Sequence, residues 1–582
     1  MRAKQSQFWS LLAILAIAFT FGCHAEPDDL AGQAGELTDP VRRANAIANI
    51  SRLYSGALER ASGDRSAAEP HGMADIAVPR LNDCYIANAS IDIVNSAQII
   101  TLLADMRDPR ALPALTAALS WAPEVSEEPA IAAARTLREL TLDDAQKGQA
   151  ITALASSLGR VSGARGVDNR MRIEFIRTLG ALRDNRATTA LVEVLLRQTE
   201  NQNFLINRLA AEQLGLIGDP AAVPALVKAL YLFAPGNANM RLNDVAEQAL
   251  VRIGRPALQP LLDTLAGNNV EATQIATQLV AAIRQLPGVD PAAVPTPAVI
   301  VKNEALHALG QLGFREALDP LLATVNQVDE GERPDAVETD LGDEQLMVGA
   351  AISLVSINRE AGDTQRMREA LVTAYNRLTP EIHPRRPNRP QLLVAMGHFN
   401  DAELVPFLTQ RAARAPRAED NDDNVRFYAF MSAMLLANAS EAAQLQAIYT
   451  AEPEGDVRDG MSDYEPLFAV MTECTTDLGC WTGKLSDANQ MVARKACYMV
   501  ARYGRGNAEA VTALVGQLGN PTMETRNEVL YALDFAATSG SPAAVARISE
   551  LRDAEQGRSI WQQTESLALS VQARLASRAS GS

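Results

Sequence analysis

The chain has 582 residues, with 70 acidic and 53 basic side chains and a formal net charge of −17. Most of its surface therefore repels phosphate polymers, and no nucleic-acid partner is expected. Aromatic residues make up only 5%, which disfavours a β-rich fold and points to an all-α one built from small and large aliphatic side chains. No shift of composition divides the length into globular units of ordinary size, so one continuous array is expected.

Arg2 and Lys4 precede an uncharged stretch from Phe8 to Phe21 that ends in Gly22 and Cys23. These are the charged, apolar and small-residue parts of a secretory signal, covering residues 1–22. At about 14 residues the apolar run is short for a membrane span. Thr20-Phe21-Gly22-Cys23 resembles a bacterial lipobox, which implies cleavage before Cys23 and a diacylglycerol on its thiol. Thr20 stands where most lipoboxes carry Leu, so cleavage after Ala25 by the ordinary signal peptidase stays open. Residues 23–39 read as a polar, flexible tether, and the body as lipid-anchored at a membrane of the bacterial cell envelope. That compartment permits disulfides. Cys474 and Cys480 flank a turn-like segment and are expected to pair, at about 2 kcal/mol for so small a loop. Cys497 lies in a helical run and reads as a buried thiol; a bridge from Cys84 to Cys497 is not expected.

A first helix is expected from Val41 to Ala61, then a polar loop to about Pro79, and helical hairpins from Asp92 onward, within a solenoid spanning 40–582. Thr188, Leu191 and Leu195 recur 35 residues later as Val223, Leu226 and Leu230, and again as Leu258, Leu261 and Leu265. Asp184 and Asp219 keep the same step, as do Gly180 and Gly215. A fixed step between 20 and 50 residues marks stacked repeats, because one helical hairpin cannot bury its apolar face alone. Asp108-Pro-Arg-Ala-Leu-Pro-Ala-Leu closely parallels Asp219-Pro-Ala-Ala-Val-Pro-Ala-Leu. Asp caps a helix start, Pro suits its first turn, and Gly lets the chain leave the preceding helix.

These hairpins resemble HEAT repeats, particularly the short type associated with phycobilin lyases, over most of residues 90–550. Further copies are Leu309-Gly-Gln-Leu-Gly313, Ala395-Met-Gly-His398 and Ala510 to Leu518. The resemblance implies an α-solenoid, or superhelix, of the kind that serves mostly as scaffold and binding surface. Insertions interrupt the register at 286–297, 328–345, 383–390 and 452–466. The second holds eight carboxylates, from Asp329 to Glu344, against one Arg.

No catalytic constellation, metal-ligand pattern or cofactor loop is found. The five His are scattered, so a two-His metal site would need contacts between distant repeats, which a one-dimensional stack rarely supplies. Asp420-Asn-Asp422-Asp-Asn424 starts like a calcium loop but has Val425 at the sixth position and Met431 at the twelfth, and reads as an Asx-rich turn. Gly159, Gly163 and Gly166 follow no strand and read as a loop.

Arg172 and Lys302 stand near the start of successive second helices, with Arg208, Arg494 and Arg526 near matching positions. They form either a concave seam for an acidic partner or a packing ladder to turn acids such as Asp184 and Asp219. Arg385, Arg386 and Arg389, in a Pro-stiffened extended loop, are the local candidates for partner contact. The expected function is a non-enzymatic scaffold for a protein partner in the envelope, without cofactor. An enzyme-assisting factor, by analogy with the chromophore lyases, and a polysaccharide binder are the alternatives. The latter has only four Trp for stacking.

Overall fold

The computed structural model describes residues 25–580, apart from 121–125, 162–165, 198–201, 292–293, 327–336, 361, 379–388, 416–421 and 555–558. Cys23 lies outside the described residues. Helices follow one another almost throughout, so the fold is the all-α solenoid expected from the 35-residue step. None of the described helices is long and apolar enough to cross a membrane.

The repeat turn is built as its residues demand. Asp108, Asp184, Asp219 and Asp401 each accept a hydrogen bond from the backbone N–H two residues on and open a short 3-10 turn. The second helix follows at once, with Pro113, Pro224 or Pro406 in its first turn, where a missing N–H costs nothing. Its apolar stripe is then set, and Leu115, Leu191, Leu226, Leu261 and Leu408 are fully buried. The repeated Gly within the first helix has a different use from the exit turn. A Cβ on Gly215 would stand 2.7 Å from the Cα of Ala249, and one on Gly310 2.9 Å from that of Ser353. Neighbouring helices touch there, and only hydrogen leaves room.

The chain divides into two compact units, one running to Leu191 and including Asn201–Leu209, the other comprising Val192–Glu200 and Ala210–Ser582. In the first, Ile93–Met106, Glu128–Glu139 and Gly166–Ala181 pack in one row, while Leu112–Ala118 and Asp144–Arg160 pack in a second. Two expectations fail here. Of the expected tether at 23–39, the described residues from 25 onward are not free: Asp29 caps a helix over Leu30–Glu36, which packs on Ala68–Asn88 and buries Gln33 and Ala34. The segment up to Pro79 is no loop, because the Ala68–Asn88 helix runs through Pro79. Its stripe of Ala74, Ala77, Val78, Leu81 and Tyr85 is buried, but the polar residues before it and the internal Pro hide that pattern.

In the second unit the inner helices form a closed row. Asn243–Ile253, Pro297–Leu312, Val337–Leu354, Arg389–Phe399, Asp423–Leu436, Gln490–Tyr503, Met523–Ala536 and Ser559–Ser580 pack each on the next, and the last returns to the first two. Residues far apart in sequence therefore meet, contrary to the expectation for a one-dimensional stack. A two-stranded antiparallel hairpin of Phe233–Ala234 and Asn237–Arg241 precedes the first inner helix. Among the described parts of the insertions, 452–466 holds a short helix, Asp456–Ser462. Asp422 caps Asp423–Leu436 through the N–H groups of Asn424 and Val425, as an Asx turn does.

Candidate functional site

The closed row gathers helix C-termini, whose last carbonyls lack partners within their own helices and carry partial negative charge. Basic side chains from other helices satisfy them. Arg574 Nη1 donates to Gln311 O at 2.6 Å, across 263 residues of chain. Arg359 Nη2 donates to Phe399 O at 2.7 Å, and Arg502 Nη1 to Leu436 O at 2.7 Å. Lys495, wholly buried, donates to Met434 O at 2.7 Å and Ala437 O at 2.6 Å and faces the Trp481 ring at 5.8 Å. Burial pulls its ammonium well below the usual lysine range.

Beside these caps lies a polar cluster. Tyr498 Oη donates to Glu528 Oε2 at 2.5 Å, Arg494 Nη2 pairs with Glu528 Oε1 at 3.0 Å, and His398 Nδ1 lies 3.0 Å from Tyr498 Oη. An ionised carboxylate only accepts, so the Tyr498 proton points to Glu528 and the free Tyr498 oxygen favours a proton on His398 Nδ1. Burial alone would raise the Glu528 carboxyl, but His398, Arg494 and the Tyr498 hydroxyl overcome it and hold the group at about 2. His398 also stacks on Tyr531, with ring centroids 4.0 Å apart. Glu528 is only 4% exposed, and these partners tie its carboxylate into a buried polar core.

Two depressions open nearby and share Asn358 and Arg578. The smaller, about 30 Å³, is lined by Arg359, His398, Arg505, Tyr531, Asp534 and Phe535 among others. Asp534 is shared by Arg574 and Arg578, both at 2.8 Å. Among the described residues, Arg359 and Arg505 have no carboxylate within ion-pair distance. Arg359 lies over the Phe399 ring at 3.9 Å and the Phe535 ring at 4.8 Å; burial, then Arg505, disfavour its charge. The larger depression, about 680 Å³, is lined by Arg255, Phe314, Arg315, Glu360, Arg574 and others. Its cations are mostly engaged, Arg255 with Glu316 at 2.8 Å and Arg315 with Asp363 at 2.8 Å.

The structure disperses the basic residues singled out in the sequence. Arg172 is fully buried and donates to Gln202 Oε1 at 2.7 Å, which excludes it from any partner surface. Arg526 is only 5% exposed and donates to Asn520 O. Lys302 is half-buried at the edge of a separate depression of about 350 Å³, with Leu262, Leu265 and Asp343. Arg389 is not in an exposed extended loop: it starts a helix, donates to Leu378 O at 2.8 Å and lies over Tyr375. Arg385 and Arg386 lie outside the described residues. Among the described residues of the second unit no seam joins Lys302, Arg389 and Arg526, because Arg526 is buried and Arg389 is held by Leu378 O and Tyr375.

A ladder does run between repeats, but other arginines build it. Arg186 bridges Asp184 at 2.5 Å and Asp144 at 2.9 Å, Arg110 bridges Asp108 and Asp75, and Arg368 pairs with Asp401 at 2.8 Å. The signal was legible in Asp-x-Arg of the turns at 108–110 and 184–186. Cys474 and Cys480 are joined, with Cα atoms 5.3 Å apart; Cys84 and Cys497 are free and buried. Arg359, Arg505 and Arg578 were missed, because their convergence depends on ring closure that no local pattern encodes.

Residues 207–231 match the family model for the PBS lyase HEAT-like repeat, which spans the hairpin turn at Asp219. No curated protein sequence matches the chain. Among solved structures, the chain is similar to karyopherin Kap121p bound to the SUMO protease Ulp1p, at 12% identity and a TM-score of 0.42 over 98% of this chain and 76% of that one. It is also similar to human deoxyhypusine hydroxylase in complex with glycerol, at 20% identity and a TM-score of 0.19 over 63% of this chain and 99% of that one. At such identities the likeness concerns helical stacking alone.

Proposed function

We propose that this protein is a non-enzymatic binding scaffold, held at a membrane of the bacterial cell envelope by lipid on Cys23, that receives an acidic segment of a partner protein at the rim of its second unit. The observation that carries this reading is the pair of depressions that share Asn358 and Arg578, where, among the described residues, Arg359 and Arg505 have no carboxylate within ion-pair distance. In a chain of net charge −17, a local excess of arginine selects for acidic groups and steers their approach. Arg505 is exposed, lies over the Phe535 ring at 4.8 Å and donates to Arg359 O at a long 3.4 Å, so its guanidinium can turn to a partner's carboxylate.

The test is affinity capture from envelope membranes followed by mass spectrometry. Arg505→Glu should reduce recovery of the partner at least tenfold while the melting curve stays within a degree. Equal recovery by both proteins would remove the rim from the binding surface. A mature N-terminus at Cys23 carrying acyl mass is expected; an unmodified one at Glu26 would end the lipid-anchor assignment.

A further inference from the structure

Eight large apolar side chains stay exposed among the described residues, and five of them fall between 41 and 94: Val41, Ile76, Ile86, Ile91 and Val94. Single exposed aliphatics are ordinary on protein surfaces. Their place in the fold is not, because four of the five gather where the chain's N-terminal segment enters the first unit. Arg43, itself only 3% exposed, reaches Asp92 at 2.6 Å and Leu37 O at 2.9 Å. That brings the Val41 turn beside Ile91 and Val94, which are 88%, 81% and 70% exposed respectively. Cys84 Sγ touches Leu37 O at 3.4 Å, which brings the C-terminal end of the Ala68–Asn88 helix, the end that carries the exposed Ile86, to the same end of the unit.

The entry point of the chain is fixed there too. The Ala25 N–H donates to Glu36 Oε1 at 3.0 Å, Gln33 Nε2 donates to Ala25 O at 3.1 Å, and Glu36 pairs with Arg42 at 3.5 Å. Cys23 precedes Ala25 by two residues, or at most about 7 Å of extended chain.

We propose that this end of the first unit lies against the phospholipid bilayer, with Val41, Ile86, Ile91 and Val94 entering the headgroup region. The proposal rests on the reading of Cys23 as lipid anchor and adds which face the anchor holds down. An acyl anchor is strengthened by a second membrane contact, and an anchor two residues before the tied-down Ala25 holds this end of the unit close to the bilayer. Arg42 and Arg52, half-exposed and exposed nearby, suit the headgroup level, where long basic side chains keep their charge in water.

The test uses full-length lipidated protein in vesicles of phosphatidylethanolamine and phosphatidylglycerol. A nitroxide is placed at Ile91→Cys and, as a control in the second unit, at Val270→Cys, which replaces a side chain 67% exposed. Native Cys84 and Cys497 are buried and should not label. On vesicles the ratio of oxygen to nickel-complex accessibility should rise severalfold at 91 and stay unchanged at 270. Equal water access at both positions in vesicle-bound protein overturns the proposal while leaving the anchor intact. Protection of position 91 already in vesicle-free protein also overturns it, by assigning the face to another part of the chain or a second copy. Failure of the anchor itself is read separately, from the mass of the mature N-terminus.

Discussion

The two units use the same hairpin and treat its inner face differently. In the first, side-chain bonds link near repeats: Tyr54 reaches Met106, 52 residues on, and Thr178 reaches Ala134, 44 residues back. In the second, Arg502 reaches Asn400 across 102 residues, Arg505 reaches Arg359 across 146 and Arg574 reaches Gln311 across 263. One repeat chemistry thus gives an open stack or a closed row. Closure requires that the converging carbonyls find donors, and here Arg359, Lys495, Arg502 and Arg574 supply them.

The sharpest way to break the comparison is to remove the closing helix, Ser559–Ser580. Hydrogen exchange should then speed up by orders of magnitude in Asn243–Ile253 and Pro297–Leu312, which pack on it, and stay unchanged in residues 25–191. Loss confined to Met523–Ala554 would mean that the second unit behaves as an open stack after all. Next in size is Asp534→Ala, which strands Arg574 and Arg578, whose side chains are 2% and 11% exposed. A cost of about 3 to 5 kcal/mol is expected in urea unfolding.

Acid should act on the second unit before the first. Glu528 is held at about 2 in the folded state, against an ordinary value of about 4.3 unfolded. Its contribution, about 3 kcal/mol, is complete above the unfolded value and is lost as pH falls from there toward 2. Glu528→Gln should flatten the acid limb of the melting curve in that window.

Glu247 runs the other way: burial, then Glu304 and Asp244, push its carboxyl up to about 8. It costs stability as pH rises from about 4.3 toward 8. Glu247→Gln should gain about 1 to 2 kcal/mol at pH 8, discounted for partial exposure, and nothing at pH 4. The smallest effect belongs to the first unit, where Asp184→Ala removes a cap and a half-exposed pair. About 1 kcal/mol is expected there, and a cost as large as that of Asp534→Ala would erase the contrast.

The stack was legible because packing repeats: the 35-residue step, the capping Asp and the Leu stripe are local and periodic. Ring closure was not, since Gln311 and Arg574 carry no mark of each other. The helix over Leu30–Glu36 escaped notice for another reason. Gln33 is buried in it at 2% exposure, its amide bonded to the carbonyls of Ala25 and Glu26, and a polar composition reads as solvated until such partners are seen. Arg172 and Arg526, left between a binding seam and a packing ladder, are buried and pack, but on Gln202 Oε1 and Asn520 O and not on the turn acids. A regular row of cations looks like a surface, yet packing regularity places the same row inside.

Closure also imposes an order of events on the growing chain. Asn243–Ile253 buries Val245, Ala246, Ala249 and Leu250 in a row that is complete only when Ser559–Ser580 docks. Such pairings of high sequence separation are slow, because the loop entropy is lost before the contact forms. The first unit can consolidate as it emerges, N-terminus first, while the second must wait for the last helix with an apolar flank uncovered. The bond from Arg574 to Gln311 is therefore expected among the last to form in the second unit.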